Sequence, residues 1–425
     1  MERSILANLN EVAVSANLAE TALNTEQTLD TALLVSISDI LGLDPRRENN
    51  ANELTGKEEA DTLYNLGNLS AGPFTFEKAQ AQHFGLGYSS ALGNSTPSAA
   101  GTGYKHAIIP ATGMDLPALT AAQKYSEVFK RRLASLFIDQ LTATFAKDSW
   151  AKLALALKGT GKYTDNIYKE EVTAAYNATE LTLDANGVHG STAALRLANV
   201  HQIRVLKPGT TDTYENVIFS AVSDATPAVI TISAPGVAAT STTFEIIYVP
   251  TEAAWCTFPA RVTETPLRVT DLVVTMGGKW NGLSFLGGKT WAEEIESIQH
   301  NLNNNMAVEF RVGGTGSYAN YAKRQGRVQT LKVDRQFRDF ILQQKLIDNE
   351  YFGAYMKATG AVYDDGSPSY NYAVEVIFPR CAVLSAPISV NGKMLAEAGD
   401  LQVLEDDTYG SVLVNVWNEV AGYAQ

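Results

Sequence analysis

The sequence predicts a mainly β protein of the α+β class, with two similar units that each carry one helix and a small β-sandwich inserted between them. Short apolar runs that end at glycine or proline recur along the chain, and such runs are typical of strands and turns. A strand–helix–loop–strand order occurs at Leu63–Pro110 and again at Arg324–Pro379. A segment rich in Thr, Val and Ala and poor in Lys and Arg separates these two blocks.

Changes of composition also predict the domain organisation. Residues 1–165 are interpreted as the first unit, residues 166–260 as the inserted sandwich and residues 261–425 as the second unit. At roughly 150 residues per domain, the chain length of 425 residues is compatible with two or three domains. Within the insert, runs such as HQIRVLKP and TFEIIYVP alternate with turn signals, as expected for a small sandwich.

The first block is interpreted element by element. Gly67, Gly72 and Pro73 predict that Leu63–Phe76 forms two short strands around a turn. Apolar residues at helical spacing predict a helix over Phe76–Leu92. The remaining predictions are a helix C-cap at Gly93, a flexible loop over Asn94–Gly103 and a strand over Tyr104–Ile109.

Three other segments of the first unit are assigned in the same way. The polar run Asp44–Asn50 is predicted to be a loop. Thr31–Gly42 is predicted to be a strand or a buried segment. Phe129–Leu157 has features of both helix and strand, and its Thr and Phe content favours strands.

The second unit is predicted to contain two helices and several strands. Four apolar residues at i, i+4, i+7 and i+11 predict one face of a helix; they are Trp291, Ile295, Ile298 and Leu302. A second amphipathic helix is predicted from Phe337 through Phe352. Strict alternation over Tyr370–Phe378 predicts a half-buried strand.

The two blocks end alike, at Ile109-Pro110 and Phe378-Pro379, and a second proline follows each. The offset is 379 − 110 = 269 residues, which is compatible with a domain inserted between two copies. Sequence identities between the blocks are few. Two interpretations therefore stay open: a duplication, or an element order that any two α+β units can share.

Charge and cysteine content limit the function classes. The chain has 33 Lys and Arg against 46 Asp and Glu, a formal net charge of −13, which argues against a protein that grips phosphates. Cys256 and Cys381 lack CxxC spacing and are interpreted as buried thiols. We expect no signal peptide and no membrane span, because no cationic start precedes an apolar core and no apolar run is long enough.

No catalytic, cofactor-binding or metal-ligating residue is predicted. The histidines, including His83 and His106, lie on separate segments without HExxH spacing. Asp364-Asp365 and Glu405-Asp406-Asp407 could hold a hard cation, but such isolated clusters are usually solvated. The basic run Lys130-Arg131-Arg132 is too short for a nucleic-acid patch and is interpreted as a partner for an acidic neighbouring subunit.

The first block also carries a family resemblance. Gly56–Gly93, which includes GKEEADTLYNLGNLSAGPF and the helix segment QHF, is followed by GYKHAIIPATGMDLPALT at Gly103–Thr120. This order resembles the major tail tube proteins of long-tailed bacteriophages, over about 300 residues of the chain. The proline that precedes the helix in many members is missing here, so the resemblance does not fix where the helix begins.

The resemblance implies two tail-tube-like β-sandwich or barrel units, each with a flanking helix, in a virion tail assembled in the host cytoplasm. It implies subunits in rings of three with pseudo-hexameric symmetry, or of six, stacked around a channel through which DNA passes without specific binding. Strands would pair edge to edge across subunits, and loops such as Asn94–Gly103 and Thr315–Tyr321 would order on contact with the next ring. Other expected partners are tail proteins such as the tape measure and the tail terminator.

Two alternatives stay open. One is a tail hub or distal-tail ring protein that caps the tube. The other is a carbohydrate-active enzyme, which would need paired carboxylates in a cleft, with Glu405 and Asp406 as the candidate pair. The inserted sandwich, placed outside a tube, could also bind carbohydrate.

Overall fold

The computed structural model describes residues 6–125, 129–251, 256–262, 264–314 and 316–424. Residues 1–5, part of the segment interpreted as lacking a signal peptide, and Thr315, part of the predicted Thr315–Tyr321 loop, lie outside that description. The chain is mainly β, with 52% of residues in strands, 7% in helices and several antiparallel sheets. The predicted mainly β class is therefore confirmed.

The helices are α1 (Ala81–Leu92), α2 (Ala193–Ala198) and α3 (Ile341–Ile347), with 3-10 turns at Ala7–Leu9 and Val269–Asp271. The strands in chain order are β1 (Glu11–Val14), β2 (Thr31–Leu33), β3 (Gly42–Asn49), β4 (Leu63–Phe76), β5 (Gly93–Ala100), β6 (Gly103–Pro110), β7 (Leu119–Lys124), β8 (Lys130–Ala146), β9 (Lys152–Gly159), β10 (Tyr163–Asp165), β11 (Tyr168–Ala175), β12 (Glu180–Thr182), β13 (Val200–Leu206), β14 (Tyr214–Asn216), β15 (Phe219–Val222), β16 (Val229–Ile232), β17 (Ser241–Tyr248), β18 (Leu272–Trp280), β19 (Phe285–Leu286), β20 (Lys289–Trp291), β21 (Ile295–Asn303), β22 (Met306–Glu309), β23 (Tyr321–Arg324), β24 (Val328–Gln336), β25 (Phe352–Asp364), β26 (Tyr370–Ser385), β27 (Ile388–Asn391), β28 (Met394–Leu404) and β29 (Leu413–Asn418).

The chain divides into two compact units, of which the larger comprises the described parts of Val12–Ala122, Leu133–Tyr163 and Phe258–Gln425. Its first layer is an antiparallel sheet in the order β3-β4-β9-β8-β21-β24-β28-β27. The last part of β26 lies in line with β27 along β28. Because every neighbouring pair is antiparallel, strand direction alternates across this eight-stranded layer.

The eight-stranded layer consists of two half-sheets with the same connectivity. In the first half-sheet β3 pairs with β4, β4 pairs with β9, and β8 forms a hairpin with β9. In the second, β21 pairs with β24, β24 pairs with β28, and β27 forms a hairpin with β28. A helix and then a hairpin follow the second strand of each half-sheet. The pairing of β8 with β21 joins the half-sheets head to tail.

A second layer runs in the order β20-β18-β25-β26-β29-β6-β5. The first part of β26 belongs to this layer, and its last part pairs with β28 of the eight-stranded layer. One long strand therefore ties the two layers together. The largest hydrophobic core of the unit includes residues from both layers, among them Leu141 and Phe378.

Helix α1 lies between the two layers, and all twelve of its residues are buried. It packs on β29, β6 and β5 of the second layer. Its other side faces the eight-stranded layer, where a Cβ added to Gly87 would lie 3.2–3.3 Å from methyl carbons of Leu141, Leu153 and Leu155. The glycines that weaken this helix by propensity therefore allow the sheet to approach it closely.

The smaller unit comprises the described parts of Met1–Glu11, Gln123–Arg132 and Thr164–Thr257. It contains a four-stranded sheet, β11-β17-β13-β14, and a three-stranded sheet, β12-β16-β15. The two sheets share a hydrophobic core of their own that includes Ile203, Ile230 and Phe244. The strands expected from HQIRVLKP and TFEIIYVP are present as β13 and β17.

Several predictions in the first unit are wrong. Leu63–Phe76 is one continuous strand, and α1 begins at Ala81 rather than at Phe76. Asn94–Gly103 is mostly the strand β5, which pairs with β6 across a tight turn. Asp44–Asn50 lies mostly in β3, although it contains Pro45, because an edge strand tolerates a residue without an N–H donor. Gly93 is confirmed as the helix C-cap, with a left-handed φ of 89°.

The helices predicted in the second half are wrong or shortened. Trp291–Leu302 forms the strands β20 and β21, in which Ile298, His300 and Leu302 are buried in alternation. The sequence pattern hid this alternation because His300 counts as polar. The second helix covers Ile341–Ile347 only, and Phe352 begins β25. Strands in Phe129–Leu157 and Tyr370–Phe378 are confirmed.

Gly85→Ala is expected to lower the free energy of unfolding, although alanine is the better helix former. The added Cβ would lie 2.3 Å from the Oη of Tyr423, which is buried and accepts a hydrogen bond from Asn418 Nδ2 at 2.6 Å. Overpacking of this kind costs about 1–3 kcal/mol. Denaturant unfolding of the unsubstituted chain and of Gly85→Ala measures the difference in the free energy of unfolding.

The control is the same substitution in a Tyr423→Ala background, where the obstructing ring is gone. We expect Gly85→Ala to be much less destabilising there, so the two substitutions couple. An equal loss in both backgrounds would contradict the assignment of the close contact to Tyr423.

Candidate self-association surface

The two histidines singled out in the sequence have structural environments. His83 is buried, stacks on Phe76 with ring centroids 4.0 Å apart, and its Nδ1 accepts from the Gln80 N–H at 3.2 Å. Burial lowers the pKa of His83 to about 3, so the ring is neutral at physiological pH. His106 Nε2 lies 2.8 Å from the Val420 carbonyl oxygen. Both side chains therefore pack within the larger unit.

Asp364 and Asp406, from the two acidic clusters, accept hydrogen bonds from the backbone of turns. Asp364 accepts from the backbone N–H groups of Thr102 and Gly366, at 2.7 and 2.9 Å. Asp406 accepts from the N–H groups of Thr408 and Tyr409 and closes its own turn. No group of three or more His, Cys, Asp or Glu side chains that could hold a metal ion occurs in the described part of the chain.

The cysteines and the basic run are also accounted for within the chain. Cys256 and Cys381 are both buried and form no disulfide with each other. Burial raises the pKa of the Cys381 thiol well above its usual range, so it is a poor nucleophile. Arg131 donates to Asp165 at 3.1 Å, so this member of the basic run has a partner within its own chain.

The ends of α1 are held by charged groups from far along the chain. At its N-terminus, Glu264 Oε2 accepts from the backbone N–H of Gln82 at 3.0 Å. At its C-terminus, Arg327 donates to the carbonyl oxygens of Ala91 and Leu92 at 3.4 and 3.3 Å. A carboxylate at the start and a cation at the end both complement the helix dipole. Burial nevertheless raises the pKa of Glu264 to about 7 and lowers that of Arg327 to about 10.

A buried polar chain crosses from α1 to the second half-sheet. Tyr88 Oη lies 2.8 Å from His300 Nδ1, and His300 Nε2 lies 3.1 Å from Gln329 Oε1. Gln329 in turn donates to Ser411 Oγ at 2.7 Å. The network was not predictable from the sequence, because its members lie on α1, β21, β24 and the segment before β29, with no common spacing.

The eight-stranded layer turns one face away from α1, and that face is covered with small polar side chains. Thr142 donates to Asn301 at 3.1 Å, and Gln299 donates to the same Asn301 oxygen at 3.0 Å. The face is formed by residues that alternate with the buried ones, among them Gln140, Thr142, Thr144, Ala154, Ala156, Gln299, Asn301, Asn303, Thr330 and Gln402.

The lysines on this polar face are neutralised by carboxylates. Lys158 lies 3.1 Å from Asp139, Lys152 lies 2.6 Å from Glu77, and Lys332 lies 3.9 Å from Asp400. Amides and hydroxyls separate these pairs. Asp334 on the same face accepts from Ser297 Oγ at 2.7 Å. The face is therefore polar, with a small excess of negative charge rather than a strongly acidic character.

The two outer strands of the eight-stranded layer each pair on one side within the described chain. The register partner of β3 is β4, and that of β27 is β28. All four residues of β27 are exposed, and so are Asp44 to Asn49 of β3. An exposed strand edge presents backbone donors and acceptors that another strand can pair with.

Exposed apolar side chains cluster near the β27 edge. We call Phe340, Ile347, Leu384, Val390 and Leu395 the α3 patch; all five are exposed. Val390 pairs with Leu395 across the β27–β28 hairpin. The Leu395 carbonyl accepts from Phe337 N–H, and the Phe337 ring lies 5.1 Å from that of Phe340. These contacts bring Phe340, Val390 and Leu395 near one another, and exposed apolar side chains grouped in this way are a candidate interaction site.

The chain matches no protein-family model, and no curated protein matches it. Among the helices that the structure describes, none is both long and apolar enough to cross a membrane. The candidate surface therefore stands on the geometry of the strand edges, the polar face and the α3 patch.

Glu264→Gln is expected to remove a pH dependence of stability. Because burial raises the pKa of Glu264 from 4.5 to about 7, the folded chain holds this proton more tightly than the unfolded chain does. Its stabilising contribution is therefore full below about pH 4.5 and is lost as the pH rises through about 7. The raised pKa corresponds to about 3 kcal/mol.

Denaturant unfolding between pH 5 and 8 tests this expectation. We expect the free energy of unfolding of the unsubstituted chain, measured relative to that of Glu264→Gln, to fall over this range. Buried neutral histidines such as His83 make both proteins gain stability up to about pH 6.5, and this shared gain cancels in the difference. The exposed Glu59→Gln serves as the control and should keep the slope of the unsubstituted chain. Identical slopes in all three proteins would count against the role of Glu264.

Proposed function

We propose that the chain is a self-assembling structural subunit of a bacteriophage tail tube, forming rings that stack around a channel for DNA. The single observation that carries the proposal is the head-to-tail pairing of β8 with β21, which joins two half-sheets of the same connectivity. One chain thus already contains one junction between tube-like units. The chemistry of the strand edges supports a second junction between chains.

The free edges match the edges that pair inside the chain. By connectivity, the free side of β3 corresponds to the side of β21 that pairs with β8, and the free side of β27 corresponds to the side of β8 that pairs with β21. Because strand direction alternates across eight strands, the first and last strands run in opposite directions. A second copy can therefore place its β3 antiparallel to β27, continuing the sheet.

Such a contact is head to tail, so it propagates until a rotation closes it into a ring. With two half-sheets per chain, three chains give a ring of pseudo-hexameric symmetry, which is the arrangement we favour over six chains. Closure removes the exposed strand edges that would otherwise pair indiscriminately. Other tail proteins, such as a tape measure and a tail terminator, are the further partners that this function requires.

The polar face of the eight-stranded layer suits the wall of such a channel. Non-specific DNA binding depends on cations that replace phosphate counterions, and the three lysines named on this face are each paired with a carboxylate. Asn301 on this face accepts from Thr142 of the neighbouring strand and from Gln299 of its own strand. DNA would pass such a wall without a strong attraction to it.

Val390→Pro is expected to abolish assembly while the chain stays folded. Asn391 and Met394 flank the two-residue turn of the β27–β28 hairpin, so they form its hydrogen-bonded pair, and the N–H of Val390 points away from β28. Proline removes that outward donor and spares the hairpin. The free energy of unfolding should change by no more than about 1 kcal/mol, as at exposed edge positions.

Sedimentation velocity and electron microscopy at increasing protein concentration provide the test. The unsubstituted chain and the control Val390→Thr, which keeps the donor, should form stacked rings with a central channel. Val390→Pro should stay monomeric. A single ring that does not stack would favour the capping alternative, and a monomer at every concentration would refute ring assembly.

A further inference from the structure

Helices α1 and α3 occupy corresponding places in the two halves, but only one of them is covered. All residues of α1 are buried, and its C-terminal carbonyl groups have partners. In α3 only Leu342 is buried. Every residue from Leu346 to Glu350, at the C-terminal end of α3, is exposed.

The cover over the end of α1 comes from the loop that follows β21. Asn304 Nδ2 lies 3.0 Å from the carbonyl oxygen of Ala91 in α1 and 3.0 Å from that of Ile138 in β8. Arg327, at the other end of the same loop, donates to Ala91 and Leu92. The connection between β21 and β24 therefore caps α1, the helix of the first half-sheet. β21 pairs with β8 of that same half-sheet.

The β3–β4 hairpin ends at a similar place, although the Asn50 side chain is hydrogen-bonded within its own loop, to Asp61 and Thr62. Its last pair is Asn49 with Leu63, and Asn50 follows, just as Asn303 pairs with Val328 and Asn304 follows. The loop between β3 and β4 carries exposed Leu54, and β4 carries exposed Leu63 and Leu66. Because these side chains are apolar and exposed, they are suited to pack against the apolar α3 patch.

We propose that the loop after β3 in a second copy of the chain covers the C-terminal end of α3 and the α3 patch. This inference rests on the proposed function and adds the surface that makes the junction specific. In that position the loop would meet Ile347, which is 74% exposed, and Phe340, which is 68% exposed. Adjacent side chains of a strand point to opposite faces of the sheet, and Arg46 pairs with Asp44. Exposed Arg47 of β3 is then the cation available to a helix C-terminus that also bears Asp348, a favourable arrangement of charge.

A cross-linking experiment between two singly substituted chains tests the contact. Ala51→Cys places a thiol in the exposed loop after β3, and Ile347→Cys places one at the end of α3. The native cysteines are both buried, so they do not compete in the folded protein. A short bismaleimide is added to each variant alone and to an equimolar mixture under assembling conditions.

We expect a cross-linked dimer in the mixture and none in either variant alone, because a head-to-tail contact brings the loop of one chain to α3 of the next. The double variant should give a ladder that ends at the number of chains in the ring. The control replaces Ala51→Cys with Val237→Cys, which is exposed on the smaller unit, and should give no dimer in the mixture.

The outcomes separate this inference from the proposed function. Rings or tubes that form normally but yield no cross-link in the mixture overturn the inference and leave the proposed function standing. A chain that stays monomeric, in which Val390→Pro changes nothing, overturns both. An equal yield with the Val237→Cys control also overturns the inference, because the reaction would then be indiscriminate.

Discussion

The complete burial of α1 is the constraint on which the larger unit depends. A buried helix must find partners for the N–H groups at its start and the carbonyl groups at its end. Here Glu264 and Arg327 supply them, from 182 positions beyond Gln82 and 236 positions beyond Ala91. The first half-sheet is therefore incomplete without the second half of the chain, and the two halves form one hydrophobic core.

The same constraint makes the internal repeat asymmetric. One junction, between β8 and β21, forms within the chain. At this junction Asn304, which follows β21, donates to the C-terminal end of α1. The corresponding edge at β27 has no partner strand on its outer side in the described chain. The corresponding helix, α3, has only Leu342 buried. Under the proposed function, a chain with one filled and one unfilled junction of the same kind would add copies of itself head to tail. Assembly would thus follow from the fold itself, without a separate binding motif.

The sequence predicted the strands where alternation and β-branched residues agreed, as in Phe129–Leu157 and in the smaller unit. It failed where a polar residue is buried or a small-residue run is paired. His300 hid the alternation of β21 because its partners, Tyr88 and Gln329, are distant in sequence. The repeat was visible only as an element order. The free edges were not predictable, because pairing is a property of the sheet rather than of the strand.

The two outer strands also show how such edges are kept from pairing at random. In β3, the charged residues Asp44 and Arg46 lie on either side of Pro45. β27 is only four residues long. Prolines, charges and short length all weaken indiscriminate strand addition. Backbone pairing alone would then be marginal at either edge. Productive joining would need side-chain contacts beside the strands, and the exposed apolar groups of α3 and of the β3–β4 hairpin lie where such contacts would form. Strand edges of low intrinsic affinity, combined with an adjacent specific patch, would favour ordered rings over aggregation.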